Sequence, residues 1–154
     1  MFFFFLKSNQ KKLVLKIAGF VELFAFLVIG SIGLYLFINT NNFLSHAFHA
    51  QGTVIALLQH SDDQSNTYYP EILFTDKNGR SIDFYSNYSS NPPEYVKGDK
   101  VNLLYDPQNP RNAKVDSFTT LWLLPIVAFV VSIISLVISC GFFVWSKYIP
   151  NENS

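Results

Sequence analysis

Two uninterrupted apolar runs, Ile17 to Ile38 and Leu121 to Trp145, constrain this chain more than any other feature. At about 1.5 Å per residue, each makes a helix at least ~33 Å long, enough to cross a ~30 Å hydrocarbon layer. Glu22 is the single charge in the first run, and the second has none. The expectation is therefore a membrane α + β protein: two transmembrane helices, 17–38 and 121–145, with residues 39–120 displayed on one side. A cytoplasmic segment, 1–16, precedes the first span, and a cytoplasmic tail, 146–154, follows the second.

Charge placement sets the orientation. Lys7, Lys11, Lys12 and Lys16 precede the first run with no acid among them, and Lys147 follows the second. Lysine and arginine excess marks the cytoplasmic flank, so both termini are expected in the cytoplasm and the chain in the cell (inner) membrane. A cleaved signal peptide is the rival reading, with Ser45-His46-Ala47 as its cleavage site. The first run is longer than a typical signal core and ends well before that triplet, which favours an uncleaved anchor. The opening MFFFFL is expected at the lipid interface. Asn87-Tyr88-Ser89 matches a glycosylation acceptor, a triplet common by chance.

Between the runs the pattern shifts to period two with turn signals. Strands are expected at Gly52 to Leu58, Tyr68 to Thr75, Ser81 to Ser86, Lys100 to Tyr105 and Asn112 to Asp116. Ser61 to Asn66 reads as a polar loop. Asn78-Gly79 marks a hairpin, because both residues tolerate positive φ. Pro70 implies an edge position or a bulge in the second strand. Val54, Ile72, Phe74, Ile82, Phe84, Val101 and Leu103 make the expected core face. The reading is a five-stranded antiparallel sheet or half-open barrel over about residues 50–118.

The order Gly52-Thr53-Val54, Tyr69-Pro70-x-Ile72-x-Phe74, Asn78-Gly79-Arg80, Val96-Lys97-Gly98-Asp99-Lys100-Val101 and Leu104-Tyr105-Asp106-Pro107-x-Asn109-Pro110 resembles the bacterial domain of unknown function 3592. The resemblance implies two spans with a β-rich domain between them, and it transfers no activity. Tyr105, Asp106, Pro107, Asn109 and Pro110 form its most specific piece. They read as a structural turn in which the Asp106 side chain caps the backbone.

Chemistry-bearing patterns are sparse. His46 and His49 would share a face on a helix, but a metal needs further ligands, and only His60, Asp62 and Asp63 lie near in sequence. Neither a nucleophile elbow nor a phosphate-cradling glycine loop is present. The middle segment holds more acids than bases, so no surface for nucleic acid is expected. Cys140, the one cysteine, allows no intrachain disulfide. No catalytic, metal or cofactor site is expected. Exposed tyrosines could meet a partner or simply pack on the sheet.

The preferred function is a non-enzymatic interaction or accessory module held in the bilayer, with a membrane or envelope protein as its partner. The alternatives are an accessory subunit of a transport or envelope-assembly complex and, behind it, a membrane-bound hydrolase. Within the spans, Glu22, Ala25, Ile29 and Gly33 share one face, with Gly30 beside it. Ala128, Ser132, Ser135 and Ser139 share a face of the second span. These faces are expected to meet, with Glu22 accepting from Ser135 or Ser139. Oligomeric state is not encoded in any of these patterns.

Overall fold

The computed structural model describes residues 7–62 and 65–150. Two helices, α1 (Ser8–His46) and α2 (Phe118–Tyr148), bracket five strands: β1 (Phe48–Asp62), β2 (Ser65–Thr75), β3 (Ser81–Tyr85), β4 (Lys100–Tyr105) and β5 (Ala113–Val115). MFFFFL, Asp63 and residues 151–154 lie outside the described residues. The chain divides into two compact units, the helical unit 1–37 with 124–154 and the sheet unit 38–123.

In the sheet unit all strands pair antiparallel in the order β3-β2-β1-β4-β5, forming a half-barrel. β1 is central and divides its length between two neighbours. Residues 48–53 pair with β4, whereas residues 52–62 pair with β2. At Gly52 both partners are present, and the register slips between Val54 and Ala56. The extra residue is a bulge, which bends a strand and raises its twist. The turn between residues 96 and 99 seats on this bend. Val54 donates to the Asp99 carbonyl at 2.9 Å, and Gly98 donates to the Val54 carbonyl at 2.8 Å. Gly98 can do so at φ 100°, a conformation other residues rarely take.

Gly52 has a second constraint. A Cβ there would stand 2.5 Å from the Ile72 Cγ2 and 2.8 Å from a Leu103 methyl. Those two side chains are fully buried and meet across β1 only because position 52 carries nothing. Around them lie Val54, Phe74, Phe84, Val101, Tyr105, Ala113 and Val115, with Ile82 partly buried at the margin. The rings interlock: Phe74 meets Phe84 edge-on at 5.9 Å and Tyr105 at 5.1 Å.

The β2–β3 hairpin follows the Asn-Gly signal, with Gly79 at φ 78°. Its anchor is Asp76, whose side chain is buried. The carboxylate accepts from the backbone N–H groups of Asn78 and Arg80 and from the Arg80 Nε at 2.8–2.9 Å. Burial alone would raise the Asp76 pKa, but the Arg80 and Asn78 donors and the guanidinium charge outweigh it and hold the carboxyl below its ordinary value.

The structure departs from several sequence expectations. The polar loop expected at Ser61 to Asn66 is strand on both sides, with Ser61 paired to Asn66 and Asp62 to Ser65. Pro70 lies within β2 opposite Leu57, and the bulge falls in β1 instead. The missing Pro70 N–H causes no loss because it faces the end of β3, where the Pro70 carbonyl accepts from Ser86 at 2.9 Å. His46 and His49 do not share a helix, since His46 ends α1 and His49 stands in β1. α1 continues past Ile38 because Asn39 to His46 contain neither proline nor glycine to stop it.

α2 contains Pro125, which cannot donate to the carbonyl of Leu121. That carbonyl accepts instead from the Thr40 hydroxyl, at 3.4 Å and buried. Hydroxyl rescue of this kind is how apolar helices keep a proline.

Two outcomes follow for the full chain in detergent. Phe74→Ala is expected to cost about 3–5 kcal/mol and Gly52→Ala about 1–3 kcal/mol, by cavity and by overpacking respectively. Denaturant unfolding of the β-sheet signal reads both, and unchanged stability in either variant would refute this packing. The second outcome concerns acid. With its folded pKa lowered, Asp76 binds fewer protons folded than unfolded, so its stabilisation is complete above the ordinary aspartate value of about 3.9 and is lost as pH falls through the folded value. Asp76→Asn is expected to be less stable at pH 7 and to lose less on acidification, read from thermal midpoints between pH 2.5 and 7.

Candidate functional site

The sheet unit holds a polar cavity of about 660 Å³. One wall is the last two turns of α1, contributing Asn39, Asn42, Phe43, Ser45 and His46. Ala47 and Phe48 form the corner into β1. The opposite wall is the β4–β5 turn with Asp106, Pro107, Gln108 and Asn112, together with Lys114 of β5.

Each wall is locally fixed. On α1, the His46 Nδ1 lies 3.0 Å from the Asn42 carbonyl and 2.8 Å from the Ser45 hydroxyl, and Ala47 closes the last turn onto the Phe43 carbonyl. In the turn, Gln108 donates to the Asp106 Oδ1 at 2.8 Å. Asp106 donates to the Asn112 carbonyl, and Asn112 donates to the Asn109 carbonyl. A rigid proline-flanked turn results, stitched by one carboxylate oxygen. The Lys114 ammonium lies 4.7 Å from the centre of the Phe43 ring, a cation–π distance. Burial pushes its pKa below the ordinary lysine value.

The turn motif singled out in the sequence thus splits between two roles. Tyr105 points into the core, where its hydroxyl accepts from the Lys77 N–H at 3.0 Å. Phe48 meets the same ring at 6.2 Å and carries the Lys77 ammonium above its own face at 4.5 Å. Asp106 and Pro107 line the cavity. Asn109 closes the turn through its carbonyl, and Pro110 is half-buried. Sequence reading missed the cavity itself, because α1 was expected to stop at residue 38, before the residues that make one wall.

Other candidates are weaker. His49 pairs with Asp116 at 3.6 Å on the surface. Among the described residues, no three histidine, cysteine or acidic side chains cluster as a metal requires. Tyr68, Tyr88 and Tyr95 surround a notch of about 10 Å³, smaller than a bound molecule needs.

In the helical unit, Ser132, Ser135 and Ser139 are buried, and Glu22, Ala25 and Ile29 are half-buried. Two of these serines bond to backbone. The Ser139 hydroxyl donates to the Gly19 carbonyl at 2.8 Å, and that of Ser132 donates to the Phe26 carbonyl at 3.2 Å. Small residues permit the approach: a Cβ at Gly33 would stand 3.2 Å from that of Ala128, and one at Gly19 would touch the Phe143 ring at 3.0 Å. Glu22 stands one turn along α1 from Gly19, whose carbonyl takes the Ser139 hydroxyl.

Fold and cavity together define a class: a five-stranded antiparallel half-barrel set in sequence between two long apolar helices, with a polar cavity at the end of the first. Residues 50–120 match the family described as Domain of unknown function (DUF3592). The chain resembles that family from residue 50 of β1 through the other four strands and the β4–β5 turn. No curated protein and no solved structure gives a significant match.

The helix contact yields a crosslinking test. A Cβ at position 30 would lie 3.9 Å from the Ser132 Cβ, within disulfide range. With Cys140→Ser as background, Gly30→Cys paired with Ser132→Cys is expected to form an intramolecular disulfide. Phe24→Cys with Val137→Cys, both on exposed faces, is expected not to. Intramolecular bonds are read as fragments held together after proteolysis of the loop, and the reverse pattern would refute this packing.

Proposed function

We propose that this chain is a two-span protein of the cell membrane that displays its half-barrel as a non-enzymatic binding or accessory module. The observation that carries the reading is the uncovered apolar surface of both helices. Phe24 and Leu124, for example, are each 69 % exposed, and apolar neighbours surround both. A contiguous surface of that kind is untenable in water and ordinary in lipid. Four N-terminal lysines favour cytoplasmic termini, with the half-barrel on the other side of the inner membrane. Support for a binding role comes from the cavity, which offers charge and amide groups, while the Ser45 hydroxyl and the His46 Nδ1 that line it both turn to the Asn42 carbonyl, at 2.8 and 3.0 Å. The partner expected from this reading is a membrane or envelope component.

A narrower reading, an accessory subunit of a transport or envelope-assembly complex, draws on Glu22. It is a charge in an apolar helix to which neither Ser132 nor Ser139 gives its hydroxyl. Such a group favours a polar contact with another subunit.

Anchoring and orientation are tested together. Alkaline carbonate is expected to leave the chain in the membrane pellet. A reporter active only outside the cytoplasm is expected to be active when fused after Lys77 and silent when fused at Ser154. Release by carbonate would overturn the anchoring, and a reversed reporter pattern would overturn the orientation.

A further inference from the structure

The cavity between the end of α1 and the β4–β5 turn holds two opposite charges that do not neutralise each other. Lys114 rests over the Phe43 ring, and among the described residues no carboxylate lies within ion-pair distance of it. Asp106 uses one oxygen for the Gln108 N–H, and its second oxygen has no such fixed donor among the described residues. Had these groups been placed for stability alone, pairing them would have been the simple solution. They are instead left unpaired on one wall of a cavity whose volume, about 660 Å³, is typical of small-molecule sites. The C-terminus of α1, where the helix dipole is negative, forms the wall opposite both charges. Amide groups of Asn39, Asn42 and Gln108 supply further donors and acceptors in the lining.

Such a cavity suits a molecule carrying one anionic and one cationic group a few bonds apart. A primary ammonium has three N–H donors, which a carboxylate and amide oxygens can accept. A phosphate is a natural partner for a lysine point charge. Bound phosphate would also relieve the unfavourable burial of the Lys114 ammonium. Position supplies the source. Asn39, Asn42 and Phe43 lie about 1.5 to 7.5 Å beyond Ile38 at helical rise. A headgroup layer is roughly 5–8 Å thick, so these residues fall at headgroup depth if Ile38 ends the span.

We propose that this cavity binds a phosphoethanolamine zwitterion, the headgroup of an ethanolamine phospholipid, with Lys114 taking the phosphate and Asp106 the ammonium. The assignment to lipid rests on the membrane-anchored reading above, whereas the ligand chemistry does not.

The test uses the full chain in detergent micelles, titrated with short-chain phosphatidylethanolamine, phosphatidylcholine and phosphatidylglycerol and followed by native mass spectrometry. Phosphatidylethanolamine is expected to bind about tenfold more tightly than the other two, since the choline lipid has no N–H donor and the glycerol lipid no cation. Asp106→Asn keeps the acceptor for Gln108 and removes the charge. It is expected to lower ethanolamine-lipid binding about tenfold and leave glycerol-lipid binding unchanged. Lys114→Met is expected to weaken both. Thermal midpoints check that each variant is folded, and Asn39→Ala supplies a further cavity variant if either is not. Soluble phosphoethanolamine is run alongside. Preference for the lipid assigns the headgroup, whereas equal binding assigns the same chemistry to a free zwitterion. Carbonate release with intact ethanolamine binding would sink the membrane reading and keep the site. Equal affinity for all three lipids, or ethanolamine binding that survives both charge substitutions in folded protein, would overturn the proposal.

Discussion

The sheet unit depends on the contact of Ile72 and Leu103 across a bare Gly52. β1 must serve two partners, and it can curl from one to the other only if the side chains above it close without a gap. A glycine at that point lets residues from β2 and β4 meet directly. The bulge at the following residues supplies the bend, and the turn at Gly98 and Asp99 fills the hydrogen bonds that the bend would otherwise leave open. Core, curvature and turn are therefore one arrangement. This also accounts for two pieces of the family pattern, Gly52-Thr53-Val54 and Val96 to Val101, as the two halves of a single joint.

Much of this was legible in sequence because each signal is local. Period-two alternation placed β4 at Lys100 to Tyr105 and the inward face of β2 at Ile72 and Phe74. Asn78-Gly79 placed the hairpin, because positive φ is a property of the residues themselves. What sequence could not supply was where α1 ends. Asn39 to His46 are polar enough to resemble a loop, yet a helix already eight turns long extends through them at little cost. The same blindness hid the cavity, which requires those turns to stand opposite Asp106 and Lys114. Convergence of that kind is a tertiary fact with no local trace.

The helix pair teaches a related lesson about polar residues in apolar surroundings. Sequence pointed to a serine face on α2, and Ser132, Ser135 and Ser139 are buried. The hydroxyls of Ser132 and Ser139 reach backbone carbonyls of α1, not a side-chain acid. A carbonyl in a helix retains a second lone pair, so the acceptor is always present wherever small residues let the backbones approach. Thr40 and the Leu121 carbonyl follow the same rule in the sheet unit, where Pro125 has left that carbonyl free. None of these bonds involves an ionisable group, so neither acid nor salt acts on them directly.

The strand order has a consequence for the route by which the chain folds. β1, β2 and β3 are sequence neighbours paired in succession, and β4 and β5 form a second local pair. Among the strand pairings of the described residues, that of β1 with β4 is the one joining distant parts of the sequence, bringing Gly52 to Val101. Local hairpins form quickly, whereas long-range pairing must overcome loop-closure entropy first. The three-stranded meander is thus free to assemble early, and docking of the β4–β5 pair onto it is the slow, committing event. Since Asp106 and Lys114 arrive only with that second piece, the cavity is the last feature of the sheet unit to come into being.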